Sequence, residues 1–220
     1  MEFKSIKNKI PDELYEILGQ EITGLRPAQE KSIKKGLLEG KNLLICTPTA
    51  SGKTLIAELA ALKSIIEGKG KAIYIVPLKA LASEKYRDFK RRYGKAAKIA
   101  LSIGEIDSAD PYLAEYDLII ATAEKMDSLL RHHASWLSGI KTIIVDEIHL
   151  LNDHERGPAL EILLTILKQL LKNAQIIGLS ATIGNAEELA EWLNADLIVD
   201  DWRPVKLHKG IYLDGKIEFY

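Results

Sequence analysis

The octapeptide Thr47-Pro-Thr-Ala-Ser-Gly-Lys-Thr54 stands directly between the apolar run Asn42-Leu-Leu-Ile-Cys46 and the stretch Leu55 to Ile66. The run reads as a buried strand and the stretch, apolar at helical spacing, as a helix, so the segment is strand, loop, helix. In that arrangement the loop's backbone N–H groups converge on the β- and γ-phosphates of a nucleotide, and the positive end of the helix adds to the field there. Lys53 supplies a point charge, Thr54 would put its hydroxyl on a magnesium ion, and Gly52 removes a Cβ that would block the phosphates. The expected cofactors are ATP and Mg, held by Thr47, Pro48, Thr49, Ala50, Ser51, Gly52, Lys53 and Thr54. Thr47 stands where this pattern begins with glycine. The competing reading is an ordinary Ser-Gly turn with a solvated lysine.

The same alternation of short β-branched runs and helical stretches recurs along the chain. Strands are expected at Asn42 to Cys46, Ala72 to Val76, Lys98 to Ile103, Asp117 to Ala121, Lys141 to Asp146 and Gln175 to Leu179. Helices are expected over Arg26 to Glu39, Lys53 to Ile66, Leu78 to Arg92, Ala123 to His132, Gly157 to Leu171 and Ala186 to Leu193. Several runs are apolar at nearly every position, as in strands covered on both faces. The expected fold is α/β, a doubly wound, mostly parallel sheet with helices on both faces. A length of 220 residues suits one such domain. Residues 1–25 read as a lead-in and 203–220 as an exit hairpin, with the run Val205 to Leu213, a turn at Asp214-Gly215 and a second extended piece.

A second candidate cluster closes the strand Lys141 to Val145, where Asp146-Glu147-Ile148-His149 follows. An Asp at the carboxyl end of a strand beside the phosphate-loop strand suits a magnesium ligand acting partly through water. Glu147, one residue on, is placed to orient or deprotonate a water in line with the γ-phosphate. The expected catalytic set is Glu147, Asp146 and Lys53, with the metal on Thr54 and Asp146. His149 is placed to sense the γ-phosphate.

These residues resemble superfamily 2 helicases, specifically the Ski-two-like DExH group and, within it, the archaeal Hjm-type repair helicases. The phosphate loop, Asp146-Glu147-Ile148-His149 and Ser180-Ala181-Thr182 look like motifs I, II and III. Leu25-Arg-Pro-Ala-Gln29 is similar to the adenine-reading Q motif, Pro77 to Tyr86 to motif Ia, and Ala121 to Arg131 to motif Ib. The resemblance implies a RecA-like domain in which Gln29, with Arg26 beside it, meets the adenine. Ser180, Ala181 and Thr182, with His149, would couple nucleotide state to movement. Pro77, Lys79, Ala80, Thr122, Glu124 and Lys125 would lie along one nucleic-acid strand, gripping phosphates without reading sequence. The implied partners are single-stranded or forked DNA, in fork repair or recombination, and a second RecA-like domain with further C-terminal domains. Nothing after Thr182 resembles motifs IV to VI, so an arginine finger, worth about 10³ to 10⁵ in rate, would come from that second domain. Alone, the chain is expected to bind nucleotide, hydrolyse it poorly and unwind nothing.

Two departures stand out: Ile103-Gly104-Glu105 replaces the group's usual Thr-Gly-Asp turn, and Arg26 stands where an aromatic is common before the Gln. Net charge is -1, so any grip on nucleic acid must be local. The chain has 1 Cys and 5 scattered His, which excludes a disulfide framework or a zinc spacing. With no signal-like or membrane-length apolar run, a cytoplasmic monomer is expected, with no membrane partner. The basic stretch Lys85, Arg87, Lys90, Arg91, Arg92, Lys95, Lys98 reads first as a solvated helix face, and the His132-His133 pair as a polar helix end. Trp136, Trp192 and Trp202 are assigned to core or interface, and Cys46 to the core. Three functions remain open on the residues: a DNA or RNA helicase domain, a self-contained P-loop ATPase or phosphotransferase using Arg131 or Arg156, and a non-catalytic binding module.

Overall fold

The computed structural model describes residues 1–104 and 110–219. Strands β1 (Leu43–Cys46), β2 (Lys71–Val76), β3 (Ile99–Ser102), β4 (Leu118–Thr122), β5 (Ile140–Val145), β6 (Gln175–Ser180) and β7 (Asp196–Val199) form a 7-stranded sheet in the order β3-β4-β2-β5-β6-β1-β7. Every junction is parallel. Helices α1 (Asp12–Gly19), α2 (Pro27–Lys34), α3 (Lys53–Ile66) and α4 (Lys79–Tyr93) pack on one face; α5 (Ala123–Arg131), α6 (Gly157–Leu170) and α7 (Ala186–Leu193) pack on the other.

Alternating side chains explain the unbroken apolar runs. Leu43, Ile45, Tyr74, Val76, Ile144 and Ile177 point to the α1–α4 side. Their neighbours Leu44, Cys46, Ile73, Ile75, Ile143 and Ile176 point to the α5–α7 side. Both faces are dry, so both sets must be apolar. The parallel crossovers bring every loop that follows a strand to one edge of the sheet, where such folds bind ligands.

Four features differ from the sequence reading. First, β7 joins the sheet beyond β1, a strand the apolar pattern did not mark. Second, α2 stops at Lys34 rather than Glu39. Gly36 has φ +104, which a helix cannot continue through, and the Gln175 side-chain amide then donates to the Leu37 and Lys41 carbonyls at 2.8 Å each. Third, the strand ending at Asp146 is not beside the phosphate-loop strand: β6 lies between β5 and β1. Strand order in a doubly wound sheet follows where each crossover helix packs, not sequence order. Fourth, the sequence reading placed no element within the lead-in of residues 1–25. A 3-10 helix (Phe3–Lys9) and α1 bury Phe3, Ile6, Leu14 and Leu18 in the core, and Glu2 bridges to Gly24.

After β7 the chain leaves the sheet. β8 (Gly210–Leu213) and β9 (Lys216–Phe219) pair antiparallel, shorter than the run from Val205 suggests. The turn has φ 47 at Asp214 and φ 80 at Gly215, the left-handed pair that suits a two-residue hairpin. Among the described residues no helix is long and apolar enough to cross a membrane.

Candidate active site

The loop after β1 is tied down by its own side chains. Thr47 is fully buried, its hydroxyl lies 2.7 Å from that of Ser51, and its N–H donates to the Ser180 carbonyl at 3.2 Å. Ala50 and Gly52 both have positive φ (64 and 93), which curls the chain into the first turn of α3. A Cβ on Gly52 would stand 2.5 Å from Gln29 Nε2 and 3.1 Å from the Arg26 side chain. Glycine is therefore required twice, by conformation and by space.

Gln29 is 97% shielded and clasps two segments. Its carbonyl oxygen accepts the Arg26 N–H at 2.8 Å, and its amide nitrogen donates to the Gly52 carbonyl at 2.9 Å. One N–H and one lone pair remain on that amide, the pair an adenine edge needs. Arg26 donates to the Ala50 carbonyl at 2.6 Å, and its guanidinium lies 5.3 Å from the ring centroid of Trp202. Trp202, expected in the core or at an interface, is 38% exposed and belongs to this rim. Trp136 is buried, as expected.

Lys53 Nζ donates to the carbonyls of Thr47 (2.8 Å) and Pro48 (3.3 Å). Burial lowers its pKa from the usual lysine range, while the carboxylates of Glu147 and Asp146 act in the opposite sense. Asp146 follows β5, its N–H donating to Ile75 and its Oδ1 accepting the Glu147 N–H at 3.1 Å. Oδ2 accepts from the Tyr74 hydroxyl at 2.8 Å. Burial, then the Asp146 charge, raises the Tyr74 pKa well above normal, so the phenol remains a donor.

Lys85 Nζ stands between the two expected metal ligands, 3.2 Å from Thr54 Oγ1 and 3.7 Å from Asp146 Oδ2. An ammonium resting against both oxygens shows that a cation fits there. Among the described residues no three His, Cys, Asp or Glu side chains converge on a metal position, so a magnesium ion here would draw its remaining ligands from water and nucleotide.

Glu147 adopts a left-handed backbone (φ 52, ψ 42) at the start of a 3-10 turn, Ile148–Asn152. Its carboxylate lies 3.4 Å from His149 Nδ1, and that nitrogen is 3.5 Å from the Ala181 N–H. Glu147, His149 and Ala181 thus form one line running from β5 to the end of β6. Ser180 is fully buried, while Thr182 is exposed.

The nucleic-acid candidates border a shallow depression of about 250 Å³ shared by Pro77, Lys79, Thr122, Glu124 and Lys125 with Ile103, Gly104 and Arg156. Ala80 is exposed on the first turn of α4. The Thr122 hydroxyl caps α5, accepting from the Lys125 N–H at 3.4 Å. The Lys125 ammonium is buried against Asp110 at 2.9 Å, leaving Lys79 and Arg156 as the exposed cations on this rim. Glu105, the end of the variant turn, lies outside the described residues.

On the other side of Glu147, Arg131 and Arg156 border a hollow of about 440 Å³ with Asp146 and Glu147, but no residue of the 47–54 loop lines it. Arg131 is paired with Asp127 at 2.7 Å. His132 and His133 are exposed at the end of α5, as a polar helix end would be. Sequence reasoning missed two residues here, Lys85 and Trp202, and the first of these carried a signal. Lys85 follows Ala82 by three positions and precedes Phe89 by four, which puts it on the buried stripe of α4.

A strand, loop and helix around Thr47 to Thr54, an acidic strand end and β6 between the two strands, on a parallel sheet, are the arrangement of a RecA-like P-loop domain. The model of the DEAD/DEAH box helicase family matches residues 26–189, and the chain belongs to that family. It is similar to the ATP-dependent DNA helicase Hel308 of Pyrococcus abyssi (strain GE5 / Orsay), 55% identical over 94% of this chain and 28% of the relative. The Hel308 helicase of Methanocaldococcus jannaschii is 57% identical over 94% of this chain and 18% of its own length. That of Thermococcus kodakarensis is 52% identical over 90% and 18%. The chain therefore spans between 18% and 28% of the length of these relatives.

Proposed function

We propose that the chain is the nucleotide-binding RecA-like domain of an ATP-dependent DNA helicase acting at forked or single-stranded DNA, and that it works with a second core domain supplied by a longer protein. The observation that carries this reading is the convergence of Lys53, Thr54, Asp146 and Glu147 at one edge of the sheet, next to a depression shared by Pro77, Lys79, Thr122 and Glu124.

Each residue has a task. Lys53 exchanges two loop carbonyls for phosphate oxygens, which its charge favours. Gln29 uses its remaining donor and acceptor on the base. Thr54 and Asp146 would hold magnesium, which supplies charge neutralisation at the β- and γ-phosphates. Glu147 orients a water and takes its proton. His149, whose Nδ1 accepts the Ala181 N–H and stands 3.4 Å from the Glu147 carboxylate, is placed between the base and the end of β6.

Glu147→Gln keeps the size of the side chain and removes the base. Affinity for MgATP is expected to stay within about twofold, while turnover in the protein with its second core domain falls by about 10² to 10⁴. Persistent hydrolysis in a steady-state assay would move the base elsewhere. Binding of an oligothymidylate to this chain should be weak, with log affinity falling against log salt at a slope of about −1 to −1.5, as two neutralised phosphates require on a single strand. Fluorescence anisotropy across a salt series measures it, and a salt-insensitive complex would refute a phosphate grip by Lys79 and Arg156.

A further inference from the structure

The α4 helix connects two parts of the molecule that the proposed function keeps separate. Its first residue, Lys79, borders the strand-binding depression, and Lys85, further along, reaches into the metal position. Lys85 is not a surface lysine that happens to lie near an acid: its side chain is 18% exposed and that of Asp146 13%. Its ammonium contacts the hydroxyl and the carboxylate that a magnesium ion would bridge, and it lies 5.8 Å from the ring centroid of Tyr74, the phenol that holds the same Asp146 oxygen.

We propose that Lys85 is a positioning residue that occupies the metal position, keeping Thr54 and Asp146 in register, and that it yields this position when magnesium arrives with the nucleotide. The proposal rests on the nucleotide-site reading above. Two like charges cannot share a site of this size, so metal and ammonium exclude each other. A lysine suits such a role because its compact charge sits on a flexible four-carbon stem that can swing away. The hollow next to it, about 560 Å³, is lined by Glu84 and Asp88, which offer the expelled ammonium carboxylates on its own helix. Metal occupancy thereby changes one of the contacts that hold α4, the helix whose first residue, Lys79, lines the depression where a strand would lie.

The test is the gain in ADP affinity on adding Mg²⁺, measured by calorimetry with and without the ion on wild type, Lys85→Gln, Lys85→Met and Lys85→Arg, each first shown to be folded by its melting curve. In the wild type Lys85 partly stands in for the metal when none is present and competes with it when it is. Removing the charge is therefore expected to widen the magnesium gain about tenfold in both neutral variants. Lys85→Arg, which keeps a cation, stays within about twofold of wild type or narrows the gain. A gain unchanged in the neutral variants overturns the proposal while leaving the nucleotide site standing. Wild-type chain that binds no ADP under either condition overturns the nucleotide site, and this proposal with it.

Discussion

Lys53→Ala is expected to remove detectable MgATP binding from the chain. The Lys53 ammonium makes charge-assisted hydrogen bonds, each worth about 1.5–3 kcal/mol. Losing two such bonds to phosphate amounts to about 10² to 10⁴ in affinity. The fold should tolerate the change, because the atoms left without Lys53 are the carbonyls of Thr47 and Pro48, on a loop that Thr47, Ser51 and Gln29 also hold. Lys53→Arg should fare little better, since a planar fork does not replace a point charge inside so tight a loop. Calorimetric titration decides the matter: wild-type affinity in Lys53→Ala would remove the phosphate-loop assignment.

The second large effect concerns stability. Arg92→Ala is expected to cost about 3 kcal/mol or more, because it strands a buried carboxylate. Glu58 on α3 is almost fully shielded, with a side chain 4% exposed, and its Oε1 accepts from Arg92 Nη1 at 2.6 Å. Burial raises the Glu58 pKa above the usual carboxylate range even with Arg92 opposing it. Arg92 also reaches Glu21 at 3.1 Å, so one guanidinium joins α4, α3 and the segment before α2. Glu58→Gln should cost clearly less, since it removes the charge that burial penalises and leaves Arg92 with Glu21. The Arg92→Ala/Glu58→Gln pair should recover part of the loss. For a domain of this size a loss of 3 kcal/mol lowers Tm by about 6–12 °C. Thermal melts of the three variants measure it, and an Arg92→Ala chain within 1 kcal/mol of wild type would show that Glu58 is neutralised in some other way.

Arg92 and Lys85 show how much of this molecule was legible in its sequence. The strand, loop and helix around Thr47 to Thr54 could be read from the sequence, because an apolar run, a Ser-Gly turn and an apolar stretch at helical spacing stand side by side. Asp146 and Glu147 followed from their place at the end of an apolar run. The basic stretch reads as a solvated helix face; Arg87, Lys90 and Arg91 are exposed on α4, while Lys95 and Lys98 are exposed but lie past its end at Tyr93. Lys85 and Arg92 instead lie on the stripe of Ala82, Phe89 and Tyr93, seven residues apart, and turn inward. Charge alone suggested solvent, whereas helical periodicity pointed to burial, and periodicity won because each cation meets a carboxylate from another element. β7 escaped notice although Leu197, Ile198 and Val199 are apolar, because the run is only three residues long and follows α7 after just two residues, Asn194 and Ala195. The insertion of β6 between β5 and β1 could not be read at all: no local pattern records which crossover packs where. The same insertion gives Ser180 a carbonyl bonded to Thr47 and a neighbour, Ala181, next to His149.

The backbone at Glu147 has a consequence for which sequences this site can accept. A left-handed residue is most comfortable as glycine or asparagine, and an ordinary side chain held there costs about 1–2 kcal/mol. At position 147 the residue that would best suit the fold is therefore not one that can move a proton. On the proposed function, a residue at 147 that suited the left-handed backbone would give up the base, so a glutamate there keeps its proton-accepting group at the cost of local strain.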